Sequence, residues 1–166
     1  GAAAVINLVG SSIAVKWSKE SKLEILQSRL RSTKAVGQAV AECQSRPAVW
    51  VNMSAIGYYG DRGSEELKEA SPPGARRDFL VDTCVAWEAA VDEAELEGTR
   101  KVKLRSGTVL GKAGGAFPQL LKLTRWFLGG HVGTGAQYMS WIHVKDLCRL
   151  IVFAIEHDIS GALNGT

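Results

Sequence analysis

The chain has 166 residues, of which 46% are hydrophobic and 22% charged, and its formal net charge is +3. This length and composition are typical of one folded domain and exclude an intrinsically disordered protein. No apolar run reaches the roughly 18 residues that a membrane-spanning helix needs. The sequence has no basic stripe with interleaved aromatic residues, the pattern that would indicate nucleic-acid binding.

The cysteines and histidines favour a reduced compartment and no metal site. Three cysteines stand far apart in the sequence, at positions 43, 84 and 148. Their odd number and wide spacing favour reduced thiols, as in a cytoplasm or in a plastid or mitochondrial matrix, over a disulfide framework. They and the three histidines lack the spacing of metal ligands. The first residues lack the pattern of a secretory signal peptide, so the compartment stays open.

Apolar runs alternate with helical periodicities along the chain. Residues 3–9 and 48–53 are nearly continuous apolar runs, which are typical of strands covered on both faces. Between them, residues 18–44 predict a helix that Ser18 caps. Further helices are predicted over 78–96, 118–127 and 144–157, further strands over 102–110, 138–142 and 162–164, and loops over 54–77, 111–115 and 129–135. The alternation predicts an α/β fold with a mainly parallel sheet.

The first predicted strand, residues 3–9, would be unusual if it lay at the edge of the sheet. It is apolar on both faces and opens the chain. At a sheet edge it would present unpaired backbone groups to any passing chain, and natural proteins seldom leave such an edge bare. We therefore expect a further strand beside it, supplied by polypeptide outside these residues or by another protein chain.

Seven motifs follow one another in a specific order. They are AVINLVG at 4–10, KWSKESKLEILQSR at 16–29, SAIGYYGDRG at 54–63, FLVDTCVAWE at 79–88, LRSGTVLGKAGGA at 104–116, GGHVGTGAQYMSWIHVKDL at 129–147 and LNGT at 163–166. Over essentially its whole length the chain therefore resembles the nucleoside-diphosphate-sugar-epimerase-like branch of the short-chain dehydrogenase/reductase superfamily. The resemblance implies a doubly wound, mainly parallel, Rossmann-like α/β fold.

The resemblance also implies what is missing. Members open with a strand, a G-x-x-G-x-x-G turn and a helix, which together cradle the cofactor pyrophosphate. The chain has no such turn, and members continue beyond LNGT into a small substrate-side region. We therefore expect residues 1–166 to be a partial Rossmann-like domain that lacks the first βαβ units. NAD(P) binding is then expected of the full-length protein and not of these residues alone.

The catalytic residues of the superfamily are only partly present. Active members use a Tyr and a Lys four residues later as a tuned acid–base pair, with a Ser on the preceding strand. Ser54 matches that serine. Aligning Glu88 with the glutamate that follows the lysine places Leu80 at the tyrosine position and Cys84 at the lysine position. A shift by one residue gives Phe79 and Thr83, so the dyad is absent in either register.

Two tyrosines are candidate substitutes for the missing acid. Tyr59 belongs to the Tyr-Gly pair that shapes the substrate pocket in the family, and Tyr58 precedes it. Packing or ligand shape is the more frequent role of such a ring. With Ser54, Tyr59 is the tentative catalytic candidate.

Two other candidates have a structural and a functional interpretation. Cys84, next to Trp87 in a predicted helix, is either a reactive thiol or, more often in such a place, a small buried apolar group. His143 with Asp146 is either a proton-handling pair or a helix start that Asp146 caps. His131 and His157 are isolated and predicted to lie at the surface.

The resemblance implies two further sets of contacts. The cofactor would contact Gly10, Ser54, Arg105, Ser106 and Gly107, and the substrate would contact Tyr59, Gln137, Trp141 and His143. The first functional hypothesis is an NAD(P)-binding, epimerase-like oxidoreductase without the usual dyad and with weak or unknown activity. The second is a non-catalytic assembly subunit built on a degenerate half-domain, and the third is an ordinary oxidoreductase encoded in a longer form.

Overall fold

Strands and helices alternate along the chain in the computed structural model, which describes residues 1–75, 78–131 and 133–166. In this part of the chain the strands are β1 (Ala4–Asn7), β2 (Val49–Ala55), β3 (Arg100–Ser106), β4 (Thr108–Gly111), β5 (Gly114–Gly115), β6 (Trp141–His143) and β7 (Gly161–Gly165). The helices are α1 (Lys19–Glu42), α2 (Phe79–Asp92), α3 (Ala116–Arg125) and α4 (Val144–Glu156), and a 3₁₀ turn spans Ile56–Tyr59. Arg76 and Arg77 of the predicted loop, and Val132 of the glycine-rich segment, lie outside the described residues.

The main sheet has four parallel strands in the order β1-β2-β3-β7. Val51 of β2 pairs with Ile6 of β1 and with Val102 of β3, and Leu104 of β3 pairs with Leu163 of β7. Val49, Trp50 and Val51 of the inner strand β2 are fully buried, which explains its nearly continuous apolar run. In β3, Val102 and Leu104 are fully buried and alternate with charged residues. The predicted parallel α/β sheet is confirmed.

Helices cover both faces of this sheet. On one face Val51 and Leu104 pack with α4, where Ile151 and Ala154 are buried. On the other face Trp50 packs with Val40 of α1 and Val91 of α2. Each fully buried aliphatic side chain of this kind stabilises the fold by about 1.5–3 kcal/mol. The sheet is therefore doubly wound, as the sequence predicts.

A buried polar network ties the first two strands to the helices on one face. Asn7 Nδ2 of β1 donates to Asn52 Oδ1 of β2 at 2.7 Å. Trp87 Nε1 of α2 donates to Thr33 Oγ1 of α1 at 3.0 Å. Asn7 Nδ2 and Asn52 Oδ1 each lie 3.5 Å from Thr33 Oγ1, so these buried polar groups connect the two strands to α1 and α2.

Capping residues begin three of the helices. The Ser18 side chain accepts a hydrogen bond from the Ser21 N–H, so the predicted cap of α1 is confirmed. Asp78 caps α2 by accepting from the N–H groups of Leu80 and Val81. At α4 the predicted cap is wrong: His143 accepts from the Lys145 N–H instead.

Asp146, the predicted cap of α4, lies inside the first turn of that helix. From there its carboxylate pairs with Arg149 at 2.9 Å.

The segment predicted as one strand over 102–110 forms two strands, which belong to different sheets. β3 lies in the main sheet, whereas β4 lies between β5 and β6 in a second, three-stranded sheet. The change occurs at Gly107, whose N–H donates to the Gly165 carbonyl at 2.9 Å. A Cβ at this position would lie 2.9 Å from the backbone of Ser140. A glycine therefore lets two backbones approach where the chain leaves one sheet for the other.

Helix α2 ends four residues earlier than the predicted 96, at Asp92. The ammonium of Lys101, on the neighbouring β3, donates to the carbonyls of Asp92 and Ala94, both at 2.9 Å. Carbonyls at a helix end lack partners within the helix, so a long cationic side chain from a strand can fix that end. The sequence around Gly98 does not reveal this contact.

β1 lies at the edge of the main sheet and pairs only with β2 among the described strands. It is shorter than the predicted 3–9, and the apolar side chains of Ile6, Leu8 and Val9 are 45%, 61% and 57% exposed.

None of the helices in the described ranges has the length and hydropathy that crossing a bilayer requires.

Candidate functional site

A cleft of about 930 Å³ opens beside the carboxyl ends of β2 and β7. Its walls come from the 3₁₀ turn, the loop after it, the start of α2 and the segment before β6. Residues lining it include Gly57, Tyr59, Asp61, Arg62, Glu65, Asp78, Leu80, Thr134, Gln137, Tyr138, Ser140 and Asn164. Open parallel sheets bind ligands beyond the carboxyl ends of their strands. This cleft is therefore the candidate functional site.

A buried ion pair lies behind the cleft. Arg105, near the end of β3, donates from Nε to Glu88 Oε1 and from Nη2 to Glu88 Oε2, both at 2.8 Å. The two side chains are only 4% and 5% exposed. Such bidentate pairing fixes the plane of the guanidinium and the carboxylate as well as their distance.

Arg105 also holds the turn and loop that form one cleft wall. Its Nη1 donates to the Tyr59 hydroxyl at 2.8 Å and to the Glu69 carbonyl at 3.0 Å. The guanidinium carbon lies 3.6 Å from the centre of the Tyr58 ring. Burial by itself would lower the pKa of Arg105, but the hydrogen bonds to Glu88 and Tyr59 and the charge of Glu88 outweigh burial and raise it. The cation therefore stays charged and joins β3, α2 and the loop.

Tyr59 connects this cation to the last strand. Its hydroxyl lies 2.7 Å from Asn164 Oδ1 of β7 and 3.1 Å from the Lys68 carbonyl. The Asn164 N–H donates in turn to the Glu69 carboxylate at 3.0 Å. The hydrogen bond from Asn164 also lowers the pKa of Glu69. Tyr59 therefore lines the cleft, and its hydroxyl is hydrogen-bonded to Arg105, Asn164 and the Lys68 carbonyl.

Ser54 belongs to the same network. Its hydroxyl donates to Glu88 Oε1 at 2.7 Å, and the residue is 3% exposed. The structure thus brings Ser54, Tyr59 and Arg105 together, three residues that the sequence singles out separately. Ser54 and Arg105 both donate to Glu88, and Arg105 also donates to Tyr59. Their assigned roles in catalysis and cofactor binding stay predictions.

The remaining predicted residues fall into three places. Gln137 lines the cleft with Tyr59, whereas Trp141 and His143 are the first and last residues of β6 and are not among the cleft's lining residues. Ser106 and Gly107 stand at the change of sheets, and Gly10 follows β1. His143 does not form a pair with Asp146, because each has the partner described for α4.

Leu80 and Cys84, which the sequence alignment places at the tyrosine and lysine positions of the family, differ in their surroundings. Leu80 lines the cleft. Cys84, one turn further along α2, is 5% exposed, and its Sγ would lie 3.5 Å from a Cβ at Gly57. Burial and then the charge of Glu88 raise the pKa of the Cys84 thiol to about 12, against the opposing effects of Arg29, the Ala55 backbone and Arg105. The thiol is therefore protonated at neutral pH.

Sequence reasoning missed two members of the network. Asn164 lies within the quoted LNGT motif, but nothing in the motif indicates that its side chain reaches Tyr59. Glu69 lies in a charged loop that has no distinguishing pattern. In the described part of the chain, no three His, Cys, Asp or Glu side chains come together as a metal-binding group would require.

Comparison with known protein families identifies relatives of this chain. The sequence model described as the NAD dependent epimerase/dehydratase family matches residues 1–164. The chain is 40% identical to the chloroplastic SDR39U1 homolog of Arabidopsis thaliana, covering 100% of this chain and 48% of that protein. It is 38% identical to mouse SDR39U1, covering 97% of this chain and 56% of that protein. The chain therefore spans about half the length of these curated relatives.

Solved structures agree with the sequence matches. Human SDR39U1 (isoform 2), crystallised with NADPH, is 35% identical with a TM-score of 0.93, over 100% of this chain and 57% of that one. A nucleoside-diphosphate sugar epimerase from Corynebacterium glutamicum is 36% identical with a TM-score of 0.82, over 99% of this chain and 34% of that one. The sheet and its helices thus occur with the same arrangement in longer proteins.

Proposed function

Because the chain belongs to the NAD dependent epimerase/dehydratase family, we propose that it is part of an NAD(P)-binding, epimerase-like protein that works without the usual Tyr/Lys dyad. A relative of very similar structure was crystallised with NADPH, which supports cofactor binding by the full-length protein. Nicotinamide cofactors, when bound, supply hydride transfer. We propose weak activity for the protein, because its own residues offer little for the accompanying proton transfer.

The observation that carries this proposal is the chemistry of positions 80 and 84. Leu80 faces the cleft where an acid–base residue would be needed, and its side chain has no exchangeable proton. Cys84 is buried, with a thiol pKa of about 12, so it supplies no positive charge and little thiolate near pH 7. Tyr59 and Tyr138 are the tyrosines among the residues that line the cleft.

The residues present fit one side of a dinucleotide cofactor. Ser54 and Arg105 already have Glu88 as partner, so they would hold the cofactor only indirectly, by fixing the turn after β2. Near the end of β1, the cationic side chain of Arg29 has no carboxylate partner within 4 Å in the described ranges. A cation without an acidic partner suits an anionic ligand. The phosphate-cradling glycine turn of the family is not in this sequence.

We further propose that additional polypeptide pairs with the open edge of β1. The strand has unpaired backbone groups on one side, and exposed apolar residues follow it. Another strand would satisfy these groups and cover part of the apolar surface. It would also bring the missing phosphate-binding turn next to the carboxyl end of β1. Residues 1–166 would then be the later part of a larger Rossmann-like domain.

Cofactor titration tests this function. NADPH and NADH would be titrated against the full-length gene product and against residues 1–166 alone, with tryptophan-to-nicotinamide energy transfer as the readout. We expect binding in the micromolar range by the full-length protein and none by residues 1–166. Absence of binding by the full-length protein would refute the proposed function. Equal binding by residues 1–166 would refute the need for a further phosphate-binding segment.

A tyrosine-to-phenylalanine series tests the proposed weak catalysis. Carbonyl compounds and nucleotide sugars would be screened for cofactor turnover with Tyr59→Phe and Tyr138→Phe variants of the full-length protein. General acid catalysis contributes about 10²–10⁴-fold to a rate, so a tyrosine acid would be evident. We expect any turnover to change by less than about tenfold. A loss of 100-fold or more in Tyr59→Phe with cofactor affinity unchanged would identify Tyr59 as the acid and contradict weak, dyad-free activity.

The open edge of β1 also favours a second candidate, a non-catalytic assembly subunit. Its exposed apolar residues would then contact another protein chain. This candidate predicts that the full-length protein forms a stable complex and fails to bind NADPH. The titration above distinguishes the two.

A further inference from the structure

Two features of the cleft are of a kind that binds anions. The first is Arg62, which lines the cleft and whose guanidinium can hold a phosphate or a carboxylate by two parallel hydrogen bonds. The second is the start of α2, where Asp78 and Leu80 line the cleft. The first N–H groups of a helix have no partner within the helix and attract negative charge. An anionic substrate in this cleft would therefore bind at Arg62 or at the start of α2.

Arg62 already has a carboxylate of the chain as its partner. Its Nε donates to Glu65 Oε2 at 2.7 Å, and its Nη2 donates to Glu65 Oε1 at 2.6 Å. The hydrogen bonds between the two groups raise the pKa of Arg62 and lower the pKa of Glu65, so both are charged at neutral pH. Glu65 therefore occupies one bidentate edge of the guanidinium and compensates its charge.

The start of α2 is likewise occupied by a carboxylate. Asp78 Oδ1 accepts hydrogen bonds from the N–H groups of Leu80 and Val81, at 2.9 and 3.0 Å. A phosphate at this helix start would need the same two N–H groups, and it would lie against the negative charge of Asp78. The capping residue therefore closes this position to an anion.

The cleft as a whole has an excess of negative charge. Among its lining residues that the structure describes, Arg62 is the only cation, whereas Asp61, Glu65 and Asp78 are acids. Asp61 Oδ1 accepts a hydrogen bond from the N–H of Gly63 at 3.0 Å, which leaves its charge uncompensated. The field in the cleft therefore opposes the entry of a further anion.

Uncharged groups form the rest of the lining. Leu67, Leu80 and Tyr138 provide apolar and aromatic surface, and Gln137 and Ser140 provide amide and hydroxyl groups. Such groups contact the carbon skeleton of a small molecule and form hydrogen bonds with its uncharged oxygen atoms. The lining thus suits a neutral molecule better than a phosphorylated one.

We propose that this cleft takes an uncharged substrate and excludes anionic ones such as nucleoside-diphosphate sugars. The inference rests on the proposed function, because it names the substrate class of the same NAD(P)-binding protein. Glu65 and Asp78 are the specificity-determining residues. Each occupies a position where a phosphate would bind, and each adds a negative charge beside it.

Titration of the full-length gene product with UDP-glucose tests this exclusion. Isothermal titration calorimetry would be performed at saturating NADPH with the wild type and Glu65→Gln. We expect the wild type to bind UDP-glucose with a Kd above about 100 µM. Glu65→Gln leaves the charge of Arg62 without a partner and should bind UDP-glucose at least about tenfold more tightly. The Arg62–Glu65 pair is partly exposed, so its loss should leave the fold intact.

Two further variants identify the cause of any gain. Asp78→Asn removes the second charge but keeps a side chain that caps helices well, and it should also strengthen UDP-glucose binding. Glu66→Gln is the matched control, because Glu66 is the neighbouring exposed carboxylate and is not among the residues that line the cleft. Glu66→Gln should bind UDP-glucose as weakly as the wild type does.

The results separate this inference from the proposed function. Binding of UDP-glucose by the wild type with a Kd below about 100 µM would overturn the inference, as would equal affinities of Glu65→Gln and Glu66→Gln. The full-length protein includes Arg76 and Arg77, which lie outside the described residues, so its affinity also measures any contribution that they make. Failure of the wild type to bind NADPH would instead refute the proposed function.

Discussion

Glu88 accepts three hydrogen bonds in the interior, one from Ser54 and two from Arg105. Two buried charges are costly to desolvate, so the pair contributes more to the arrangement of the site than to net stability. Removing only one partner would destabilise the protein, because the other charge would remain buried without compensation.

We expect Glu88→Gln to lower the free energy of unfolding by about 3–5 kcal/mol, because the Arg105 charge stays buried. Urea unfolding followed by circular dichroism would measure the change. The matched control is Glu24→Gln, whose exposed pair with Arg31 should contribute at most about 1 kcal/mol. A loss below about 1 kcal/mol in Glu88→Gln would show that the buried charge of Arg105 does not need Glu88 as its partner.

Cys84 differs from the other two cysteines in reactivity. Cys43 and Cys148 are exposed, whereas Cys84 is buried with its thiol pKa raised from 9.0 to about 12. The thiolate is the species that reacts. At pH 8 in the native protein, alkylation followed by mass spectrometry should therefore modify Cys43 and Cys148 and leave Cys84 unmodified. Labelling of Cys84 at the rate of Cys43 without unfolding would contradict the assigned environment.

The same thiol makes stability depend on alkaline pH. Because the native pKa lies above the unfolded value, the contribution of Cys84 is fully present below about pH 9. It is lost as the pH rises towards 12. Cys84→Ala should remove this part of the alkaline loss of stability, which unfolding curves of both proteins between pH 8 and pH 11 would reveal.

At the scale of elements, β1 is the least enclosed strand of the main sheet. It pairs on one side only, and Ile6 is 45% exposed. Edge strands with apolar faces and no charged side chain promote association between chains. The exposed end of the sheet is therefore where residues 1–166, taken alone, should associate.

We expect residues 1–166 to self-associate in sedimentation velocity and Ile6→Lys to shift them towards monomer, because a charge on the edge opposes strand pairing. Val152→Lys on α4 is the control, since Val152 is also exposed, by 49%, but lies away from the edge. Equal effects of the two substitutions would indicate general surface hydrophobicity and not the edge of β1. If wild-type residues 1–166 sedimented as a monomer, the edge of β1 would not promote association between chains.

Across the whole molecule, one buried network assembles the cleft from segments far apart in the chain. Tyr59 and Asn164, whose side chains are in contact, stand 105 residues apart. Arg105 joins them to Glu88 on α2 and to the loop carbonyl of Glu69. The walls of the cleft thus depend on contacts that form only when the main sheet is complete. Substitutions within the network should affect folding and the shape of the cleft together.

Local patterns determined much of the fold. The apolar run of β2, the Ser18 cap and the periodicity of α4 depend on residues close in sequence, and each predicted its element. The order of motifs predicted the family and the doubly wound sheet. It also singled out Ser54, Tyr59 and Arg105, because these match positions of the family's motifs, and the structure brings the three into one network.

Only the tertiary structure decided how those elements and side chains meet. The division of the predicted strand 102–110 at Gly107 depends on the approach of Ser140, and the end of α2 depends on Lys101 from another strand. Likewise, Arg29 of α1 lies against the Trp87 ring of α2 because these two helices pack on one face of the sheet. Periodicity records which residues are buried, but the partner of a buried charge is set by packing between distant segments.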